Sequence, residues 1–215
     1  MVSSSAACMQ FLPQNADVVY NETTWSDIFA EMVTNDIPQL GYAYSKKAAE
    51  EAAWDFVKNE KPNFKLTTVL PPMVIGPQVF NELVKDKVDG SNEHVFGFFD
   101  KKEGEEYTFP FPALASIHVR DIAQSIIKPF GTDKLDGKRL LPVESGFNPQ
   151  DVVDKVHKFF PYVNGKMTVG NPGFESTLYK YDSSATDKLL GIEYIPLDTQ
   201  IIETFSQFNY VNGKF

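Results

Sequence analysis

Residues 40–77 read LGYAYSKKAAEEAAWDFVKNEKPNFKLTTVLPPMVIGP, and the fold turns on this stretch. Its first half, from about residue 40 to 58, is crowded with alanine (Ala43, Ala48, Ala49, Ala52, Ala53) and closes on Trp54, Phe56 and Val57, which predicts a long helix. Pro62 lies just past its end, where a helix stop belongs. Residues 64–70 are β-branched and mostly apolar and read as a buried strand. Pro71 and Pro72 end that strand, because proline cannot donate to a sheet ladder. A long helix followed closely by a buried strand is the rhythm of a parallel α/β sheet.

Outward from this unit, residues 115–119 read as a second strand, with Asp121 as N-cap of a helix over 122–130. Residues 139–143 look like another short strand. Asn148 and Pro149 fit the N-cap and first position of a helix that continues through Phe160. Ser183 or Asp182 caps one more, with Gly191 at its C-terminal side, and a last helix covers 197–208. Residues 76–112 are broken by Gly76-Pro77, Gly90, Gly104 and Phe109-Pro110-Phe111-Pro112, and read as a long loop with one short helix. Such a loop is either the wall or lid of a site, or a surface excursion held down by Phe96, Phe98 and Phe99. Tyr-Val-Asn-Gly-Lys occurs at 162–166 and at 210–214; both copies carry the Asn-Gly turn signal and do not form a repeat.

Composition narrows the function. Twenty Lys+Arg against 29 Asp+Glu give a net charge of −9, which argues against a general nucleic-acid binder. A hydrophobic fraction of 42%, with 18 Phe and 9 Tyr, argues against disorder, and 215 residues suit one large domain or two small ones. No run approaches the roughly 18 apolar residues of a membrane span. The start, Met1-Val2-Ser3-Ser4-Ser5, lacks the basic and apolar regions of a signal peptide, so a cytoplasmic protein is expected. Cys8 is alone, which excludes an internal disulfide and fits a reducing compartment.

Tyr42 and Lys46 stand four apart on the predicted long helix, one turn apart on one face. A phenol is a poor acid or base at neutral pH, but a nearby ammonium favours the phenolate. Such a pair on a rigid helix can give a proton to an alcohol oxygen or take one from it. The serine run at 3–5 precedes it and can donate to a substrate carbonyl. Residues 70–77 lie at the C-terminal end of the predicted buried strand, the edge where parallel sheets bind ligands. The three histidines (His94, His118, His157) have no metal-ligand spacing with each other or with Cys8, and no G-x-S-x-G elbow or G-x-x-x-x-G-K-S/T loop occurs.

Together these pieces resemble the extended short-chain dehydrogenase/reductase superfamily, also described as the NAD-dependent epimerase/dehydratase superfamily. The likeness is nearest to the yeast NADPH-dependent methylglyoxal/aldehyde reductases, relatives of plant dihydroflavonol and cinnamoyl-CoA reductases. The residues that carry it are Ser3-Ser4-Ser5-Ala6-Ala7, the run Gly41-Tyr42-Ala43-Tyr44-Ser45-Lys46-Lys47-Ala48-Ala49-Glu50, Val74-Ile75-Gly76-Pro77-Gln78, His118-Val119-Arg120-Asp121-Ile122-Ala123 and Asp187-Lys188-Leu189-Leu190-Gly191. The resemblance implies reduction of a small carbonyl compound by NADP. It makes Ser5 the carbonyl-orienting serine, Tyr42 the proton donor, and Lys46 the residue that lowers the tyrosine pKa and bonds the nicotinamide ribose. The backbone around Pro71 and Val74 would hold the nicotinamide ring. His118 stands where relatives usually have an acidic residue.

The family's GxxGxxG fingerprint, which lets a helix N-terminus approach the pyrophosphate, does not occur in these 215 residues. The nearest imitation, residues 169–176, is interrupted by Pro172 and has Ser176 in place of the third glycine. The expected fold is therefore α/β, the C-terminal portion of a Rossmann-type doubly wound parallel sheet whose N-terminal βαβ units are missing, with a small mixed α/β substrate-side region. Residues 1–78 and 113–145 are assigned to the first part, and 79–112 with 146–215 to the second. A truncated reductase of this kind should bind NADPH weakly and be inactive or weakly active alone. Its bare sheet edge is the expected place for a partner or a second copy of the chain. The other readings are a non-catalytic remnant or interaction module, and a nucleotide-sugar epimerase or hydroxysteroid dehydrogenase of the same superfamily.

Overall fold

The computed structural model describes residues 1–10, 18–34, 37–86, 90–109, 111 and 113–215. In chain order its strands and α-helices are β1 (Val19–Tyr20), α1 (Pro38–Glu60), β2 (Thr68–Val69), β3 (Met73–Ile75), α2 (Ser91–Phe96), β4 (Leu114–His118), α3 (Val119–Ile127), β5 (Arg139–Leu140), β6 (Ser145–Phe147), α4 (Pro149–Phe159), β7 (Lys180–Tyr181), α5 (Ser184–Leu190) and α6 (Leu197–Asn212). They form two compact units. The first comprises Met1–Pro72, Asp121–Val143 and Tyr179–Glu193; the second comprises Met73–Arg120, Glu144–Leu178 and Tyr194–Phe215.

In the first unit, α1 begins with Pro38, whose missing N–H costs nothing at a helix start. It ends where Lys61 turns left-handed at φ 47° and donates its N–H to Val57 O, one residue before Pro62. The helix buries a narrow stripe, Leu40, Ala43, Lys47 and Glu50, at helical spacing. The upper half of the stripe packs on Ala6 and Ile28, and the lower half is charged. β2 is the middle of a parallel arrangement. It pairs with β5 through Thr68↔Arg139, and Val2 pairs parallel with Val69. The N–H groups of Thr68 and Leu70 point to Lys138 O and Leu140 O, while that of Val69 points to Met1 O, so the two partners lie on opposite edges of β2. β1 and β7 make a second parallel pair.

In the second unit, β4 is fully buried and central. β3 pairs with it in parallel through Ile75↔His118, and β6 pairs antiparallel through Leu114↔Phe147. The core is aromatic. Phe99 lies 4.9 Å from Phe96, 5.1 Å from Phe98, 4.9 Å from Phe205 and 4.7 Å from Phe208, centroid to centroid, within the range of favourable ring pairs. The three phenylalanines of the aromatic loop are thus core residues. Pro110 and Pro112 of the neighbouring Phe-Pro-Phe-Pro stretch lie outside the described residues. The capping box at α4 is complete: Asn148 accepts from Gln150 N–H, and Asp151 accepts from Asn148 N–H.

Two local expectations need correction. Residues 64–70 supply only a two-residue paired strand, because Gly137 N–H already takes Leu66 O and the prolines close the other end. Asp121 is not a cap; α3 starts two residues earlier and buries it.

Candidate functional site

The serine run reaches the helix through a bend. Ser4 is extended (φ −159°, ψ 151°) and caps a single 3₁₀ turn, Ser5–Ala7. Its Oγ accepts the N–H of Ala6 at 3.2 Å and the phenol O–H of Tyr42 at 3.4 Å, long for a bond between two hydroxyls. Two accepted bonds occupy both lone pairs of the Ser4 hydroxyl and leave its proton to donate. Ser5, the serine expected at this position, lies inside the turn. Its N–H donates to Pro71 O at 2.9 Å, and its carbonyl accepts from the N–H and thiol of Cys8. The hydroxyl that the structure brings to Tyr42 is Ser4's. Sequence counting missed it because the three serines are identical until the turn distinguishes them.

Tyr42 is 53% exposed on α1, one turn before Lys46. The Lys46 ammonium lies 5.6 Å from the centre of the Tyr42 ring. Among the described residues it has no hydrogen-bond or ion-pair partner. The next residue behaves differently: Lys47 is buried, donates to Ile28 O at 3.1 Å, and holds its ammonium 4.4 Å from the Phe29 ring centre. One lysine is structural and its neighbour is available.

Two turns past Tyr42, Glu50 is fully buried and saturated with donors. Its Oε1 accepts from Thr68 Oγ1 at 2.7 Å, Arg139 Nε at 2.8 Å and Trp54 Nε1 at 3.3 Å. Its Oε2 accepts from Ser3 Oγ at 2.7 Å and Arg139 Nη2 at 3.3 Å. Arg139 also donates from Nη1 to Glu22 O at 2.8 Å and Thr24 O at 2.6 Å, and stacks 3.8 Å from the Trp25 ring centre. Burial alone would raise the Glu50 pKa. The bonds from Arg139, Ser3 and Thr68, with the Arg139 charge, outweigh it and hold the carboxyl below the ordinary glutamate value. Nothing in the local sequence around Glu50 marks this cluster, since its donors come from four separate segments.

Pro71 is half-buried in the first unit, with its carbonyl engaged by Ser5. Val74 belongs to the second unit, half-buried on β3. Also in that unit, His118 ends β4 with no exposed surface. Its Nδ1 accepts the N–H of Arg120 at 3.0 Å, so its proton sits on Nε2, 3.3 Å from Glu203 Oε2. Arg120 closes the group at 2.6 Å from Glu203 Oε1. Cys8 is buried, and loss of hydration pushes its thiol up to about 12, so it behaves as a small apolar side chain. Among the described residues no group of His, Cys, Asp or Glu is arranged to hold a metal ion, and no helix is long and apolar enough to cross a membrane.

A hydroxyl with a proton left to donate, a phenol beside it and, one turn along, an ammonium unengaged among the described residues suit proton transfer to an oxygen. The same ammonium suits a ribose hydroxyl of a nicotinamide cofactor, so the residues present fit that end of NADPH. No glycine-rich turn among the 215 residues fits its pyrophosphate.

No protein-family profile matches the chain. Curated relatives do. A putative NADPH-dependent methylglyoxal reductase of Candida albicans is 34% identical over 215 residues, covering 96% of this chain and 62% of the relative. The NADPH-dependent methylglyoxal reductase of Saccharomyces cerevisiae is 32% identical over 221 residues, covering 100% of this chain and 64% of the relative. A crystal structure of a yeast methylglyoxal/isovaleraldehyde reductase complexed with NADPH superposes with a TM-score of 0.90 at 31% identity, over 100% of this chain and 64% of that one. The chain therefore spans a little under two thirds of the length of the relatives it matches, and corresponds to their C-terminal part.

Proposed function

We propose a carbonyl-reducing role for this chain, which is a homologue of the yeast NADPH-dependent methylglyoxal reductases and shares the Rossmann-type fold of the extended short-chain dehydrogenase/reductase superfamily. The observation that carries the reading is the trio Ser4, Tyr42 and Lys46: the phenol bonded to the serine, the ammonium 5.6 Å from the ring and unengaged among the described residues.

The proposed substrate is a small aldehyde, ketone or 2-oxoaldehyde. Its carbonyl oxygen takes the place of Ser4 as the acceptor of the Tyr42 O–H and receives the free proton of Ser4 as a hydrogen bond. NADPH, when bound, supplies the hydride that the carbonyl carbon gains. The oxygen then takes the Tyr42 proton and becomes the alcohol hydroxyl. The phenolate left behind faces the Lys46 ammonium, whose charge stabilises it before a proton returns from solvent. When the cofactor is bound, Lys46 would hold the nicotinamide ribose and the backbone at Pro71 would line the ring. Ser4, rather than Ser5, holds the carbonyl, because the turn directs the Ser4 hydroxyl to Tyr42.

In this reading the first unit carries the proton-transfer residues, and the pyrophosphate and adenosine are held by the portion of the relatives that these 215 residues do not span. The 215-residue polypeptide by itself is expected to bind NADPH weakly and to turn over little. The test has two arms. Calorimetric titration of the polypeptide with NADPH should give no low-micromolar binding. A chimaera carrying the unmatched N-terminal portion of the Saccharomyces relative should oxidise NADPH with methylglyoxal, and Tyr42→Phe in that chimaera should lower kcat by about 10²-fold or more. A chimaera that binds NADPH tightly yet reduces no carbonyl would favour a non-catalytic role.

A further inference from the structure

Among the described residues, two side-chain hydrogen bonds join the serine run to α1. One is the candidate catalytic contact, Tyr42 O–H to Ser4 Oγ. The other lies one residue back on the run and two helical turns further along α1, from Ser3 Oγ to Glu50 Oε2 at 2.7 Å. They differ in quality. The Tyr42 bond is 3.4 Å long with a half-exposed tyrosine; the Glu50 bond is short, charge-assisted and fully buried. A long bond at an exposed phenol cannot by itself fix the spacing of two elements. A short bond to a buried carboxylate can, provided the carboxylate is itself fixed. Glu50 is: Thr68 and Arg139 hold it to β2 and β5, and Trp54 adds a bond from its own helix.

We infer that Glu50 is a positioning residue, which through Ser3 sets the depth at which Ser4 meets Tyr42. This deepens the reductase reading and rests on it for its catalytic meaning, but the geometric claim stands apart from any turnover. The division of labour on the carboxylate makes the inference specific. Thr68 and Arg139 tie Glu50 to the strands. Ser3 alone ties it to the serine run. Without the Ser3 hydroxyl, Oε2 keeps only the 3.3 Å bond from Arg139 among the described residues, and the run meets α1 through the weaker Tyr42 bond and the packing of Ala6 on Leu40 and Ala43, neither of which is a short, fixed polar contact.

The experiment compares Ser3→Ala with Thr68→Val. Each deletes one 2.7 Å hydroxyl bond to the same carboxylate, and only the first touches the serine run. The readout is the ¹³Cζ resonance of Tyr42 in the 215-residue chain labelled at tyrosine, identified by its disappearance in Tyr42→Phe. Ser4→Ala defines the signal of a Tyr42 that has lost its partner. Ser3→Ala should move the Tyr42 resonance toward that of Ser4→Ala. Thr68→Val should leave the resonance at its wild-type position while lowering the melting temperature to a similar extent. Glu50→Asp keeps the charge for Arg139 but withdraws the carboxylate by one methylene, and should shift Tyr42 as Ser3→Ala does, which supplies the answer if Ser3→Ala does not fold. A Tyr42 signal indifferent to Ser3→Ala and Glu50→Asp, or equally disturbed by Thr68→Val, overturns the inference. In the NADPH-competent chimaera, Ser3→Ala should lower kcat about tenfold with KM unchanged. If no variant reduces a carbonyl but the resonance pattern holds, the reductase reading fails and the positioning role survives.

Discussion

Replacing Glu50 by glutamine keeps the side-chain volume and removes the charge, and its cost can be worked from the contacts. The Glu50 side chain is 0% exposed and that of Arg139 10% exposed, so neither finds water when the other is neutralised. Removing one member of a buried ion pair costs about 3–5 kcal/mol. Glutamine still offers one acceptor oxygen, and Arg139 keeps Glu22 O and Thr24 O, which places the expected loss near the lower bound, about 3 kcal/mol. For a chain of this size that is a fall in Tm of roughly 6–12 °C. The pH dependence supplies the sign. The folded carboxyl titrates below its unfolded value of about 4.3. Its contribution is therefore fully present above that pH and is lost as pH falls through the lower, folded value. Urea unfolding of wild type and Glu50→Gln at several pH values should show a constant gap near neutrality that narrows in acid. A gap below about 1 kcal/mol, or one that stays the same from pH 7 to pH 2, refutes the reasoning.

Three further outcomes are expected. In the NADPH-competent chimaera, Ser4→Ala should lower kcat by about 10²-fold, and more than Ser5→Ala does; equal effects, or the reverse order, would return the role to Ser5. Lys61→Gly should raise stability by about 0.5–1 kcal/mol in thermal melts, since Lys61 holds φ 47° at an exposed helix end where a Cβ is unfavourable. Gly76→Ala should destabilise by about 2–3 kcal/mol, because the new Cβ would lie 2.5 Å from Val119 Cγ1 and 3.2 Å from His118 Nε2, and a neutral result would mean that β3 and β4 yield more readily than their buried register suggests.

Local chemistry announces some of these elements and not others. The long helix, the Asn148-Pro149 start of α4 and the Gly191 end of α5 are written in propensities and caps that act over a few residues, and they stand where the sequence puts them. Strand lengths are not local. Residues 64–70 look uniformly strand-like, yet only Thr68 and Val69 pair as β2, since pairing depends on what lies opposite. The candidate site divides the same way. Tyr42 and Lys46 are found by counting along one helix. The choice of Ser4 over Ser5 depends on where a turn begins, and the Glu50 cluster depends on Ser3, Thr68 and Arg139 arriving from three other segments.

That last dependence has a consequence for how the chain is made. Arg139 follows Glu50 by 89 residues, so at about 5–20 residues per second a ribosome adds Glu50 roughly 4–18 s before the guanidinium exists to neutralise it. Residues 179–193 complete the same unit later still, when β7 joins β1. Until Arg139 arrives the nascent helix carries an unpaired acid on the face destined for the interior. Synthesis of this unit is thus a wait for its far end, during which the inward face of the helix stays unfinished.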